Sequence, residues 1–298
     1  MRQAFISWTP RGESARLVDH ADTICADYQQ QGYDLTLRQL YYQFVARDLI
    51  PNTQKSYKRL GSIVDSARLA GMLDWDYIVD RTRNVYRTDG RDTSPASAVE
   101  QTAENYAREL WEAQPNHVEV WVEKEALAGV VERAAGATGI NYFSCRGYVS
   151  QSEMYSAGRR FRRYKSLGKS VYIIHLGDHD PSGIDMTRDI EERLNMFGSY
   201  PEIRRIALNM DQVNQYNPPP NFAKVTDTRF QAYQELYGDE SWELDALDPA
   251  TLNDLITNEV LSLRDEELWA EARDQQETER EQLQRVSDMW EDVVELIG

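Results

Sequence analysis

Apolar and aromatic positions recur in steps of three and four over residues 13–31, at Leu17, Ala21, Ile24 and Tyr28, until Gly32 interrupts the period; this spacing predicts a first amphipathic helix. Thr36 can cap a second helix over 37–49, stopped by Ile50-Pro51-Asn52, and Thr53 can cap a third running through Tyr57, Leu60, Val64 and Ala67 to Ala70-Gly71. Two short helices joined by a tight turn predict a helix-turn-helix. Lys55, Lys58, Arg59 and Arg68 fall on or beside the third helix, where a recognition helix meets phosphates. Residues 75–87 are expected to form a wing or its support.

The period changes after residues 89–97, whose Gly, Asp, Ser and Pro predict a hinge there or at Gln114-Pro115-Asn116. Residues 117–122 alternate toward an apolar strand, 126–135 have helical spacing, 140–144 form a short strand, and 151–167 form a basic helix. Ser170-Val171-Tyr172-Ile173-Ile174-His175-Leu176 is the strongest strand of the chain. A helix over 185–195, a strand over 203–208 and a helical region from Pro249 onward follow. Strands and helices alternating in this order predict a parallel sheet and an α/β fold class. The expected organisation is an all-α helix-turn-helix domain at 1–113 and an α/β domain at 114–210. A mainly helical extension at 211–298 should pack on the α/β domain or at a dimer interface. Its stripe of Leu268, Trp269, Ala272, Leu283, Val286, Trp290, Val293 and Val294 fits either use.

Composition sharpens this picture in two places. The 298 residues carry a net charge of −17, which looks hostile to nucleic acid, but residues 235–298 hold twenty acids and four bases, so the remainder is nearly neutral. With a Debye length of about 8 Å at cellular salt, an acidic tail leaves basic faces elsewhere free to act. No run of eighteen apolar residues occurs and Met1-Arg2-Gln3-Ala4-Phe5-Ile6 leads into polar residues, so a cytoplasmic protein without a membrane span is expected. Cys25 and Cys145 have no CxxC partner and are expected to be free thiols. Leu167-Gly168-Lys169-Ser170 mimics the end of a P-loop, but Arg163 stands where the earlier glycine belongs and the order is helix then strand, so no ATP site is expected.

The chemistry gathers at strand ends, where parallel α/β sheets collect functional groups. Val122 is followed by Glu123-Lys124-Glu125, and Leu176-Gly177 by Asp178-His179-Asp180-Pro181-Ser182-Gly183. Asp178 and Asp180 stand two apart between a glycine and a Pro-Ser-Gly turn, and Glu123 adds a third carboxylate from another strand. If the three converge within a few ångströms they suit Mg²⁺, with Mn²⁺ as a substitute, because this hard cation takes few protein carboxylates beside phosphate oxygens. The alternative reading is that Asp178 and Asp180 cap the next helix and that Glu123-Lys124-Glu125 is a charged loop.

These segments resemble a TOPRIM domain, the catalytic module of topoisomerases, primases and certain nucleases. The resemblance is closest to the family formed by the DNA-breaking subunit of topoisomerase VI and its meiotic double-strand-break relatives. Val120-Trp121-Val122-Glu123-Lys124-Glu125 resembles the glutamate strand, Arg146-Gly147-Tyr148 the link after the second strand, and the ten residues from Leu176 to Asp185 the DxD turn with its continuation. The resemblance implies that Glu123, Asp178 and Asp180 hold metal, with Asp185 as a supporting ligand. The family also places a winged-helix domain before TOPRIM, carrying a nucleophilic tyrosine in an R-x-x-Y-Y motif. Arg38-Gln39-Leu40-Tyr41-Tyr42 matches it, so Tyr42 is the implied nucleophile, Arg38 the cation beside it, and Glu123 a catalytic as well as a metal-binding residue. A phenol with a pKa of about 10 needs such cations as it attacks phosphorus. Water is the alternative nucleophile, as in some TOPRIM nucleases. Helical core spacing also predicts that one tyrosine of the pair packs inside, leaving the other as a surface phosphate contact.

The implied activity is Mg²⁺-dependent DNA cleavage by a nucleoid-associated enzyme. Because Tyr42 and the acids fall in different predicted domains, the resemblance implies a homodimer in which one protomer's tyrosine works with the other's metal. A separate ATPase or accessory subunit would be needed for strand passage. Arg159, Arg160, Arg162 and Arg163, with Arg146, Lys165 and Lys169, are a candidate phosphate-tracking surface. Lys224, Asp227 and Arg229 form a loop that is expected to approach substrate, and His175 and His179 flank the DxD turn in structural or proton-transfer roles. The competing function is a non-catalytic helix-turn-helix DNA-binding regulator whose second half is structural or senses a ligand.

Overall fold

The first three expected helices form as α1 (Glu13–Gln30), α2 (Leu37–Ala46) and α3 (Gln54–Leu69) in the computed structural model, which describes residues 2–80, 92–223 and 226–297. A capping box starts α2: Gln39 N donates to Thr36 Oγ1 at 3.2 Å and Thr36 N to Gln39 Oε1 at 2.8 Å. The helix ends three residues earlier than its spacing predicts, because Asp48 takes a left-handed conformation at φ 53° and Leu49 N turns back to Phe44 O. Thr53 caps α3 through Ser56 N. Leu17, Ile24, Leu40, Phe44, Leu60 and Val64 fuse the three helices into one core. The described part of the expected wing, residues 75–80, holds a single 3₁₀ turn at Trp75–Tyr77 and one bridge from Ile78 to Leu35; residues 81–87 lie outside the described chain.

The segment expected as a hinge is in part a helix, α4 (Pro95–Asn105). Its Ser and Pro are start signals rather than linker residues: Ser94 accepts a hydrogen bond from Ser97 N, and Pro95 occupies the first turn, where its missing N–H costs nothing.

Strands β1 (Asn116–Val122), β2 (Asn141–Ser144), β3 (Ser170–Leu176) and β4 (Glu202–Ala207) form a parallel sheet in the order β2-β1-β3-β4. The crossovers are α5 (Ala128–Thr138), α6 (Gln151–Ser166) and α7 (Pro181–Met196). After them come α8 (Met210–Tyr216), a two-residue pairing of β5 (Asn221–Phe222) with β6 (Glu240–Ser241) around α9 (Phe230–Tyr237), and then α10 (Pro249–Ser262), α11 (Glu266–Asp288) and α12 (Trp290–Ile297). The fold is therefore α/β, with twelve α-helices among the described residues. None of them is long and apolar enough to cross a membrane.

Alternation along the strands sorts the sheet's two faces. Val118, Val120, Val122, Ile174 and Leu176 pack with α5 and α10, while Trp121, Val171 and Ile173 pack with α6 and α7. The helical region expected from Pro249 onward forms as the three helices α10, α11 and α12. Its Trp269 packs edge-on against Trp111, and Arg108 ties α11 back by pairing with Glu279. Ala246 and Ala250 lie against the N-terminal helical core, so this last part of the chain braces both halves.

On the α6 face, Glu119 is almost fully buried and its carboxylate receives Arg160 Nε at 2.7 Å, Arg160 Nη2 at 2.9 Å and Trp121 Nε1 at 3.0 Å, with His117 Nε2 3.0 Å away. Burial alone would raise this carboxyl, but the bonds from His117 and Arg160 prevail and hold it down at about 2. Its stabilisation is thus complete above the ordinary glutamate value and drains away as pH falls through about 4.5 toward 2. Glu119→Gln is expected to cost about 2 kcal/mol at pH 7, less than a wholly enclosed pair because Arg160 keeps contact with water. Urea titrations at pH 7 and pH 3 should show that gap closing at the lower pH.

Candidate functional site

The end of β1 is locked beside the end of β3: Glu123 N donates to Leu176 O at 2.9 Å, and Asp178 N donates to Glu123 Oε2 at 2.9 Å. Two glycines make this approach feasible. A Cβ on Gly177 would lie 2.9 Å from Glu123 Oε2, and one on Gly183 would lie 3.0 Å from that atom and 2.2 Å from the Asp178 carbonyl. Gly183→Ala is therefore expected to destabilise the fold by about 3 kcal/mol, measurable by urea denaturation, since backbone must move to admit the methyl.

Asp180 caps α7 by accepting from Gly183 N at 2.6 Å, which starts that helix four residues before the sequence-predicted position. Between the two aspartates the chain is zipped to residues 240–245. His179 N donates to Trp242 O at 2.8 Å, Trp242 N returns a bond to His179 O at 2.9 Å, and Leu244 N donates to Asp178 Oδ1 at 2.8 Å. Half-buried Arg205 clamps the turn from behind, donating to the carbonyls of Asp178 at 2.7 Å, Gly177 at 2.9 Å and Gly183 at 3.0 Å.

Glu123, Asp178 and Asp180 line one cleft of about 1020 Å³, together with Arg38, Lys124, Glu243 and Asp245. The sequence-level expectation of three convergent carboxylates is not met as such. Among the described residues no three His, Cys, Asp or Glu side chains are grouped closely enough to hold a metal ion. The group standing against Asp178 is an ammonium: Lys124 Nζ lies 2.9 Å from Asp178 Oδ2, 2.9 Å from Glu243 Oε2 and 3.4 Å from Asp245 Oδ1. Burial would depress the Lys124 amine, but Asp178, Asp245 and Glu243 together raise it well above the ordinary lysine range. Burial, and then the neighbouring Asp178 carboxylate, raises the Glu123 carboxyl; burial raises Asp178 against the pull of Lys124. Asp245 is 1% exposed; among the described residues neither of its oxygens accepts a hydrogen bond, and each faces a cation, Lys124 or Arg38, at 3.4 Å. The cleft offers the oxygen donors that Mg²⁺ prefers, but they are not gathered as a ready-made site, and Lys124 stands at the Asp178 oxygen that a cation would have to take.

Both tyrosines of the Arg38 motif are buried, contrary to the expected inside–outside pair, but they do different things. The Tyr41 hydroxyl donates to Asn52 Oδ1 at 2.9 Å and so pins the turn between α2 and α3. Tyr42 borders a second cavity, of about 300 Å³, which shares Arg38, Gln54, Asn221 and Glu243 with the acidic cleft. Its hydroxyl accepts from Asn221 Nδ2 at 3.3 Å, and the Arg38 guanidinium lies 5.8 Å from its ring centre. Burial first, then Glu243, pushes the Tyr42 phenol up to about 12. Arg38 pairs with Glu243 and lies 3.4 Å from Asp245. A contact chain Tyr42–Asn221–Glu243–Lys124–Asp178 therefore joins the tyrosine to the acids within one chain.

Other expected residues lie elsewhere. Asp185 does not line the cleft; its oxygens are engaged by Tyr148 at 2.6 Å, Arg188 at 2.7 Å and Arg229 at 3.0 Å. Arg229 also pairs with Asp227, so the described part of that loop docks on α7, and Lys224 lies outside the described residues. Lys55 and Lys58 are exposed on α3, whereas Arg59 is engaged by Glu13 at 2.8 and 3.0 Å. Arg159, Arg162 and Arg163 are exposed on α6, but Arg160 is committed to Glu119. Arg163 shares a cavity with His117 at the amino end of β1, the opposite end from the acids, because a crossover helix runs back along its sheet. Lys169 donates to the carbonyls of Trp111, Glu112 and Gln114. His175 and His179 are held neutral, at about 3 and about 4, by burial and then by Arg205, which fits structural roles.

Arg205, Asn221, Glu243 and Asp245 have no motif to announce them, although an arginine pair inside the otherwise apolar Ile203-Arg204-Arg205-Ile206 is a visible oddity. Compared with known protein families and with curated proteins, the chain matches none.

Proposed function

We propose that the protein is a Mg²⁺-dependent DNA-cleaving enzyme, a nuclease or the DNA-breaking component of a topoisomerase VI-like assembly, whose helical half works as a winged-helix domain and whose α/β half works as a TOPRIM domain. One observation carries the reading: carboxylates from the ends of two adjacent parallel strands share a cleft with Lys124 and Arg38, and a tyrosine borders the adjoining cavity. Mg²⁺ held by Glu123, Asp178 and Asp180 would polarise the scissile phosphate and neutralise charge as it develops. Arg38 orients the phosphodiester and stabilises the oxyanion beside Tyr42. Tyr42 attacks phosphorus through its phenolic oxygen; the P–O bond to the departing strand breaks, leaving a tyrosyl–DNA ester and a free hydroxyl on the other end. Exposed Lys55 and Lys58 hold the flanking duplex by its phosphates. A homodimer would bring a second such centre to the opposite strand, and strand passage would require an ATPase from a separate protein. The test is incubation of supercoiled plasmid with purified protein and Mg²⁺ or Mn²⁺; plasmid left supercoiled, as with Glu123→Ala, overturns the proposal.

A second reading, a non-catalytic DNA-binding regulator, is favoured by the Lys124 ammonium seated on Asp178. In that case Lys124 is the permanent counter-ion of the acids, and DNA is bound but never cut.

A further inference from the structure

The Glu243 carboxylate is surrounded by donors from three distant parts of the chain. Arg38 of α2 pairs with it, Lys124 Nζ lies 2.9 Å from Oε2, and Asn221 Nδ2 lies 3.4 Å from Oε1. A guanidinium, an ammonium and an amide converging on two oxygens are the donors that recognise the non-bridging oxygens of a phosphodiester. The position also suits such a ligand, because Asn221 reaches the Tyr42 hydroxyl on one side while Lys124 reaches Asp178 on the other. We propose that Arg38, Lys124 and Asn221 form a phosphate seat and that Glu243 fills it in the absence of DNA as an internal phosphate mimic. The scissile phosphate as occupant rests on the DNA-cleavage reading; the seat itself does not.

With Glu243 in place, Arg38 and Lys124 are both paired with it and the phenol is held further from ionisation. A DNA phosphate must expel this carboxylate before Arg38 can serve the reaction. Glu243 is thus an autoinhibitory contact supplied by the last part of the chain, and its departure couples substrate entry to activation of the site. Glu125 provides the natural comparison. It lines the same cleft and carries the same charge, but its described partner is Arg146 on the rim.

The test measures binding of inorganic phosphate by calorimetry and of a short duplex by fluorescence anisotropy, both in EDTA so that neither metal nor cleavage contributes. Glu243→Gln is expected to bind both about tenfold more tightly than the wild-type chain, with the gain abolished in the Glu243→Gln/Arg38→Ala double variant. Glu125→Gln should change binding by less than about threefold, the effect of removing one charge from the wall. An unchanged or weakened affinity in Glu243→Gln, or an equal gain in Glu125→Gln, overturns the seat. Glu243→Asp, one methylene shorter and unable to span the same donors, supplies the same comparison should the glutamine variant fail to fold. Phosphate binding that tightens as expected, in a protein that leaves plasmid intact, retains the seat and removes only the cleavage reading. Cleavage without any gain in phosphate affinity does the reverse.

Discussion

Glu123→Ala is expected to slow Mg²⁺-dependent plasmid cleavage by about 10²–10³-fold, the scale seen when one well-placed electrostatic contributor is lost from an active site. In the proposed mechanism the side chain serves the metal, and in the structure it serves the geometry of the turn. It offers a carboxylate to the cleft and also accepts the Asp178 backbone N–H, so the substitution removes a proposed ligand and loosens the turn that carries Asp178 and Asp180. Glu123→Gln separates the roles. It retains an oxygen for Asp178 N, so its fold should melt close to wild type while its metal dependence is lost. The pH response has a defined sign. Burial raises both Glu123 and Asp178, so in the metal-free protein each keeps its proton above the ordinary carboxylate range. A divalent cation must release those protons on binding, so its apparent affinity should climb as pH rises from the ordinary carboxylate range toward neutrality. Calorimetry in buffers of different ionisation enthalpy would register that proton release. Cleavage by Glu123→Ala at the wild-type rate would remove the acids from the chemistry.

Tyr42→Phe carries the second large effect. Strand scission and covalent protein–DNA adducts should both fall by at least about 10²-fold, as when a nucleophile is deleted from its catalytic group. Duplex affinity in EDTA should stay within about threefold, because the phenol contributes one long hydrogen bond from Asn221. Stability should fall by no more than about 1 kcal/mol for the same reason. Tyr41→Phe is the matched control: its hydroxyl is spent on Asn52 and Thr53, so it should lose some stability of the turn but retain adduct formation. Full cutting by Tyr42→Phe would leave water as the nucleophile and make the tyrosine a packing residue.

Much of the frame was legible in the sequence because local chemistry specified it. β3 forms over the expected residues between Gly168 and Gly177, and Thr36 and Thr53 start their helices as capping rules require. The acids at the ends of β1 and β3 were legible for the same reason: an apolar run followed by a Gly-bounded turn marks a strand end. Ser94-Pro95 misled because one short polar cluster can be either a linker or a helix start, and only the packing of α4 along α11 decides between them. The burial of both tyrosines was hidden for a different reason. The helical half meets Ala246 and Ala250, and Tyr28 bonds Asp248, so a face that looks solvent-exposed in sequence is covered by residues some 200 positions away. Arg160 looked like a free cation because nothing near it in sequence reveals that Glu119 of β1 is pointed at it. Glu243 and Asp245 were absorbed into the region's overall acidity, although they are the two of its acids that reach the cleft.

The zipper between His179 and Trp242 sets a timetable for biosynthesis. During translation the helical half and the four parallel strands emerge first, while the wall made by residues 240–245 is still inside the ribosome. Until that wall arrives, Asp178 lacks the amide of Leu244 and Lys124 lacks two of its three carboxylate partners. A nascent chain therefore carries an unfinished centre, and the residues that complete the cleft bring its occupant with them.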